Sequence, residues 1–169
     1  MMKKILKLTL VAVMMLGATT LYAQKFGRIN VAELIQAMPE TTEANNNMQT
    51  FYTDLRNTLE VMQVEFNTKV NEIQQNEATW SESMRQLKYK EAQDLQARIE
   101  QFQQSASYEA QQKESELMAP IQEKAASAIN AVAQAGGYLV VYNTPTLVYY
   151  DETLVEDILP AVKAHLGIE

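Results

Sequence analysis

Apolar side chains recur every three or four residues along two stretches of the chain, on either side of a polar segment at 76–83, NEATWSES. This spacing is typical of amphipathic helices, and the chain holds no glycine from 40 to 134. Eight apolar positions of the first stretch match eight of the second in reverse order, each pair of residue numbers adding up to 157 or 158. The pairs are Met48/Ala110, Tyr52/Ala106, Leu55/Phe102, Leu59/Ile99, Met62/Leu95, Phe66/Ala92, Val70/Leu87 and Ile73/Met84. The pattern predicts two antiparallel helices that meet along one coiled-coil seam.

The polar segment between the two stretches predicts a tight turn around Asn76 to Thr79. Thr79 and Glu82 have the spacing of a capping box, in which the Thr hydroxyl accepts a hydrogen bond from a backbone N–H group and the Glu side chain reaches back. We therefore expect the tip of the hairpin near 76–80 and the start of the second helix near Trp80.

Two prolines indicate where this helical arm ends. Pro39 and Pro120 lie almost symmetrically about the tip, and a proline inside a helix removes one hydrogen bond and bends the axis. The coiled-coil hairpin is therefore predicted to occupy 40–120. The remaining parts, 24–39 and 121–169, are predicted to form a small body.

The first part of the body is predicted to be a strand followed by a short helix. The β-branched residues Ile29 and Val31 alternate with polar positions and would share one face of the strand. A short helix from Ala32 to Met38 follows. The sequence thus predicts that the chain enters the arm directly from the body.

The second part begins with the end of the long helix, which we expect to stop at Gly136-Gly137. Tyr138 to Asn143 and Thr146 to Tyr150 are predicted as strands. Asp151 to Asp157 is predicted as a connection to a last helix at Pro160 to Leu166. The fold class is therefore α+β, with a long helical hairpin projecting from a small β-strand body.

A body of about 60 residues with three strands has a marginal core when it stands alone. Closing strands from several subunits into a shared barrel would enlarge the core and remove the sheet edges. This favours an obligate oligomer, although the sequence by itself does not give the number of subunits. The residues predicted at the subunit interface are Ile29, Val31, Leu139, Val141 and Val148.

Residues 1–23 have the order of a secretory signal peptide. A basic start, MMKKILK, precedes about ten apolar residues and a small residue, Ala23, at a plausible cleavage point. An uncleaved anchor is the alternative, but a membrane span needs about 20 apolar residues. Because the chain has no cysteine, a lipid-anchored lipoprotein is excluded. We therefore expect an exported protein from which residues 1–23 are removed.

Charge and composition restrict the function further. Without residues 1–23 the chain has 11 Lys and Arg against 21 Asp and Glu, a formal charge of −10. This charge repels nucleic acids and disfavours docking on anionic membranes. The lone His165, the absence of Cys and the lack of a phosphate-binding glycine loop argue against an enzyme and against a metal or other cofactor.

Three residues of the arm are candidates for binding other protein chains. Trp80, at the predicted tip, could contact them directly or could pack on the turn. Met62 and Met84 carry flexible thioethers, which suit promiscuous apolar contact but also fill helix seams. The sequence leaves both roles open for each of them.

The start RINVAELIQAMPE, the long hairpin and the tail GGYLVVYNTPTLVYYDETLVEDILPAVKAHL together resemble the Skp (OmpH-like) family of periplasmic chaperones. Within the tail the likeness rests on Tyr138 to Val141, Tyr150, Asp157 and Ile158. The resemblance implies a homotrimer in which a shared β-barrel carries three helical arms around a cavity. It also implies ATP-independent holding of unfolded outer-membrane proteins, with neither nucleotide nor catalysis.

One feature departs from this family, whose well-known members are basic. Attraction for acidic clients, or for lipid headgroups at the arm tips, therefore does not carry over to this acidic chain, and membrane contact stays open. The alternative function is a structural coiled-coil scaffold of the cell envelope that binds one folded partner. A scaffold predicts tight binding to that partner, whereas a chaperone predicts binding to many unfolded chains.

Overall fold

The computed structural model describes residues 24–168, so the predicted signal peptide lies outside the described residues. Three strands and four α-helices make up this part of the chain. In chain order they are β1 (Lys25–Ile29), α1 (Val31–Ala37), α2 (Pro39–Asn76), α3 (Glu82–Gly136), β2 (Tyr138–Asn143), β3 (Val155–Asp157) and α4 (Leu159–Leu166). The molecule is thus mostly helical, with two long helices and a small sheet.

The long helices α2 and α3 run antiparallel and contact each other. Lys69 Nζ lies 3.0 Å from Glu91 Oε2, and Lys88 Nζ lies 2.9 Å from Glu72 Oε1. Farther from the turn, Lys124 pairs with the first turn of α2 at Glu40. Pro39 begins α2 at a position whose N–H has no partner within the helix, so its missing donor costs nothing there.

The side chains buried between the two helices are mostly small or aliphatic. They are Ala44 and Ile73 of α2 and Ala92, Leu95 and Ala110 of α3. Leu95 is 2% exposed. A two-helix layer of this kind has little interior, because each helix has only one covered face.

Three of the predicted seam positions are only partly covered. Leu87, Met84 and Tyr52 are 51%, 41% and 49% exposed. Near the turn Lys88 reaches across to Glu72, and Leu87, one residue earlier, is rotated by about 100° from it around the helix axis. Tyr52 lies beside Ala106 and Ala110, whose side chains are too small to cover its ring.

The turn between the helices is capped differently from the prediction. Ser81, not Thr79, is the N-cap of α3, and its Oγ accepts a hydrogen bond from the N–H of Met84 at 3.3 Å. The Thr79 hydroxyl instead donates to the carbonyl of Asn76 at 2.8 Å. The second helix therefore begins at Glu82, two residues later than expected.

The sheet has the order β2–β1–β3, and both neighbours run parallel to β1. The predicted strand at Thr146 to Tyr150 is wrong, and the third strand lies at Val155–Asp157, where a connection was predicted. Thr144–Thr146 form a 3₁₀ turn instead. The following Val148 is fully exposed, so it has no apolar face to pack against.

The first strand also ends earlier than predicted, because a helix cap follows it. The Asn30 side chain accepts a hydrogen bond from the N–H of Glu33 at 3.2 Å, which starts α1 at Val31. The placement of Val31 on a strand was therefore wrong. Ile29 remains on β1 and is 2% exposed.

The body is organised around one apolar cluster to which all four helices and strand β1 contribute. Its most buried side chains are Ile29, Leu34, Met38, Ile158 and Val162, each at most 2% exposed, and the α3 residues that join them are Ile121, Ala125 and Ala128. Helix α3 thus continues through Pro120 into the body. It ends where the sequence predicts, with Gly137 in the left-handed conformation at φ 68°.

No helix within residues 24–168 is both long and apolar enough to cross a membrane.

Candidate interaction surfaces

The three residues predicted to bind other chains do not form one site. Trp80 lies in the turn and is partly buried, and Met84 is 41% exposed in the first turn of α3. Met62 is partly buried and lies 14 residues before the end of α2, about 21 Å away along the helix. The structure therefore brings Trp80 and Met84 into the same region and leaves Met62 farther along α2.

Charged groups surround the turn and pair with one another. Lys88 Nζ lies 5.9 Å from the centroid of the Trp80 ring, within the range of a cation–π contact. The hydrogen bond to Glu72 raises the pKa of Lys88, and the hydrogen bond from Lys69 lowers the pKa of Glu91. These contacts hold Trp80 and the ends of the two helices together, which supports the packing role for this tryptophan.

Large apolar side chains away from the seam are exposed along both helices. Val61 and Val64 of α2 are 67% and 59% exposed, and Tyr108 of α3 is 62% exposed. These three residues were not predicted, because they do not belong to the repeat of apolar residues that defines the seam. A large apolar residue that lies on a long helix but outside this repeat is the signal that could have identified them.

Two open grooves flank the seam where the helices approach the body. One has a volume of about 260 Å³ and lies beside Glu40, Glu43, Pro120 and Ile121. The other has a volume of about 200 Å³ and lies beside Met48, Tyr52, Glu114 and Met118. Ala44 and Leu117 line both grooves, so the two grooves adjoin each other at these residues. The small side chain of Ala44 leaves this space open.

The outer edge of the sheet carries a second group of exposed apolar side chains. Within β2, Leu139 is 61% exposed, and Val140 and Tyr142 are 38% and 39% exposed. In the segment after β2, Val148 and Tyr149 are 103% and 84% exposed. Because β2 pairs only with β1 among the described residues, its other edge offers backbone donors and acceptors to a further strand.

The predicted interface residues divide into two groups. Ile29 belongs to the chain's own core, and Val31 and Val141 pack against it. Leu139 and Val148 are exposed on the single chain and remain the residues that a neighbouring subunit could cover. The interface itself stays a prediction.

Ionic contacts fix β3 and the preceding segment onto β1. Arg28 Nη1 lies 2.9 Å from Asp157 Oδ2, and its guanidinium carbon lies 4.9 Å from the centroid of the Tyr150 ring. Lys25 Nζ lies 2.9 Å from Glu156 Oε2. These contacts fix Tyr150 and β3 beside β1, next to the exposed Val148 and Tyr149.

The described part of the chain, residues 24–168, contains no group of three or more His, Asp or Glu side chains placed to hold a metal ion.

Comparisons with known proteins identify a matching family and a similar solved structure. Residues 25–166 match the family model described as outer membrane protein (OmpH-like). A crystal structure from Caulobacter crescentus CB15, described as an OmpH-like outer membrane chaperone, superposes with a TM-score of 0.75 at 12% sequence identity. The match covers 85% of this chain and 83% of that one. A search of curated proteins found no significant match. Since the family model spans nearly all of the described residues, the chain belongs to the OmpH-like family.

Proposed function

We propose that this protein is an ATP-independent holdase chaperone of the periplasm, which binds unfolded outer-membrane proteins between helical arms and prevents their aggregation. The observation that carries the proposal is the pair of long antiparallel helices, whose outer faces expose Val61, Val64 and Tyr108. Membership of the OmpH-like family supports the same role.

The shape of the helix pair suits holding rather than folding a client. Helix α2 has 38 residues and would be about 57 Å long at 1.5 Å per residue. With so little buried between the two helices, the arm offers open grooves and not an enclosed cavity that would admit only one shape. Scattered apolar side chains would give many weak contacts, and several arms together would convert weak contacts into useful retention.

The proposed assembly is a homotrimer in which the sheets of three subunits close a shared barrel and each helix pair projects as an arm. The exposed edge of β2, with Leu139 and Tyr142, supports such pairing, as do Val148 and Tyr149 beside it. Covering these residues would remove a large apolar surface from water, which a stable monomer rarely exposes.

The test of the chaperone role is an aggregation assay with the mature protein, residues 24–169. An outer-membrane β-barrel protein unfolded in urea is diluted into buffer, and light scattering is followed with and without the chain. The proposal predicts suppression at stoichiometric amounts and without ATP. Undiminished scattering at a several-fold excess of the chain would overturn it.

The assay also separates the chaperone from an envelope scaffold. A holdase should suppress aggregation of several unrelated unfolded barrels and should release each one when the barrel folds. A scaffold would leave all of them to aggregate. Sedimentation of the mature protein, which should give the mass of three chains, tests the proposed assembly separately.

A further inference from the structure

The charge of the helix pair is distributed unevenly along its length. The half that lies toward the body, residues 40–65 and 94–124, contains 11 Asp and Glu against 4 Lys and Arg, a formal charge of −7. The half toward the turn, residues 66–93, contains 4 of each and is neutral. We call the first part the acidic half.

The carboxylates of the acidic half are available to an incoming chain. Ten of the eleven belong to exposed residues, and Glu40 is the exception. Among residues 24–168, only Glu40 and Glu116 of this set form ion pairs, with Lys124 and Lys113. Near the turn, by contrast, Glu72, Glu82 and Glu91 are all paired.

The two open grooves lie within the same half, so charge and apolar surface coincide. Their volumes of about 260 and 200 Å³ exceed the roughly 150 Å³ of a cavity that holds a benzene ring. Leu117 lines both grooves, and an exposed carboxylate lies at each, Glu43 at the larger and Glu114 at the smaller. Lys124 also lines the larger groove, where its charge is paired with Glu40, so Glu43 remains without an ion-pair partner among the described residues. Each groove thus places an apolar surface for a side chain beside a carboxylate for a neighbouring cation.

We infer that the acidic half selects unfolded segments in which aromatic or large apolar side chains stand next to Lys or Arg. This inference rests on the proposed holdase function and names the class of client that the arm prefers. The cation would meet Glu43 or Glu114 at the rim while the apolar side chain enters the groove. Because exposed charges act over about 10 Å at 0.1 M salt, the selection should weaken as salt is added.

The test uses the mature protein and two fluorescent, unfolded 20-residue peptides with identical aromatic positions, one with six Lys and the other with six Glu. Fluorescence anisotropy gives Kd for each. We expect the Lys peptide to bind at least about tenfold more tightly at low salt, and the ratio to fall to about two at 0.5 M NaCl.

Matched variants locate the selection. Glu43→Gln with Glu114→Gln removes two charges at the grooves and should weaken binding of the Lys peptide about fivefold. Glu33→Gln with Glu152→Gln removes two exposed charges from the body and should change it by less than about twofold. Equal effects of the two double variants would overturn the location that we infer.

The peptide binding results are compared with those of the aggregation assay, so that the holdase function and the charge selection can be refuted independently. If unfolded barrels stay soluble while the Lys and Glu peptides bind equally, the holdase function stands and the charge selection is overturned. If neither peptide binds and the barrels aggregate, both are overturned. Tighter binding of the Lys peptide that salt abolishes supports the inference.

Discussion

Leu95 and Leu87 provide a direct test of how the two long helices pack. Both are leucines on α3, and the repeating pattern of the sequence places both in the seam, but Leu95 is 2% exposed and Leu87 is 51% exposed. Truncating each to alanine removes the same three carbon atoms. The difference between the two variants therefore reports burial alone, since intrinsic helix propensity changes equally.

The magnitudes follow from the burial. At about 0.8 kcal/mol per buried carbon group, Leu95→Ala should lower the free energy of unfolding by about 2.5 kcal/mol. A cavity left behind would add to this loss, but a two-helix layer can partly close over it. Leu87→Ala should cost about 1 kcal/mol or less, because half of the side chain already contacts water.

The assay is urea unfolding of the mature protein followed by circular dichroism at 222 nm, with hydrogen exchange across the arm to show where protection is lost. Leu95→Ala should shift the unfolding midpoint clearly more than Leu87→Ala and should speed exchange in both long helices. Equal midpoint shifts, or a larger shift for Leu87→Ala, would refute the packing described here.

Three further predictions concern other parts of the chain. Gly137→Ala should destabilise the protein by about 1 kcal/mol, measured as a lower Tm, since φ 68° strains alanine although no atom lies within 4 Å of the added Cβ. The lowered pKa of Glu91 means that its pairing with Lys69 stabilises the arm above the ordinary pKa of 4.5 and is lost as pH falls through the lower value of the folded state. Lowering the pH should therefore destabilise residues 66–93 more in the wild type than in Glu91→Gln. Equal acid sensitivity of the two proteins would contradict this assignment. Leu139→Lys should reduce the sedimenting mass without loss of helix content, because the side chain is exposed on the single chain; an unchanged mass would argue against its role in assembly.

The long helices and the glycine stop at Gly137 could be predicted because they depend on local chemistry. Helix periodicity, the absence of glycine from 40 to 134 and the left-handed conformation that glycine adopts at a helix end are all readable in the chain. The strand Lys25–Ile29 is readable for the same reason, apart from its end. That end is set by the cap at Asn30, which competes with strand extension.

The third strand could not be found in the same way. Val155–Asp157 has three residues and two of them are acidic, so its sequence does not favour a strand. It is held by long-range partners, since Asp157 pairs with Arg28 and the N–H of Ile158 donates to the Arg28 carbonyl at 3.0 Å. Such contacts join residues about 130 positions apart and leave no local signature.

The surface of the two long helices was only partly predictable. The spacing of apolar residues can be read in the sequence, but the rotation of each helix about its own axis cannot. A shift of one residue exchanges Leu87 for Lys88 at the helix contact, and both choices give plausible spacing. The cross-helix ion pairs decide between them. The grooves lined by Ala44 and Leu117 depend on which residues of the two helices come to lie side by side, which the sequence does not specify.

Native mass spectrometry of the mature protein mixed with an unfolded outer-membrane barrel tests the central claim most directly, since assembly and client capture appear in one spectrum. The account predicts a species containing three copies of this chain and one barrel, whose abundance rises with chain concentration and does not depend on ATP. A spectrum that contains only single chains and free or aggregated barrel would contradict it.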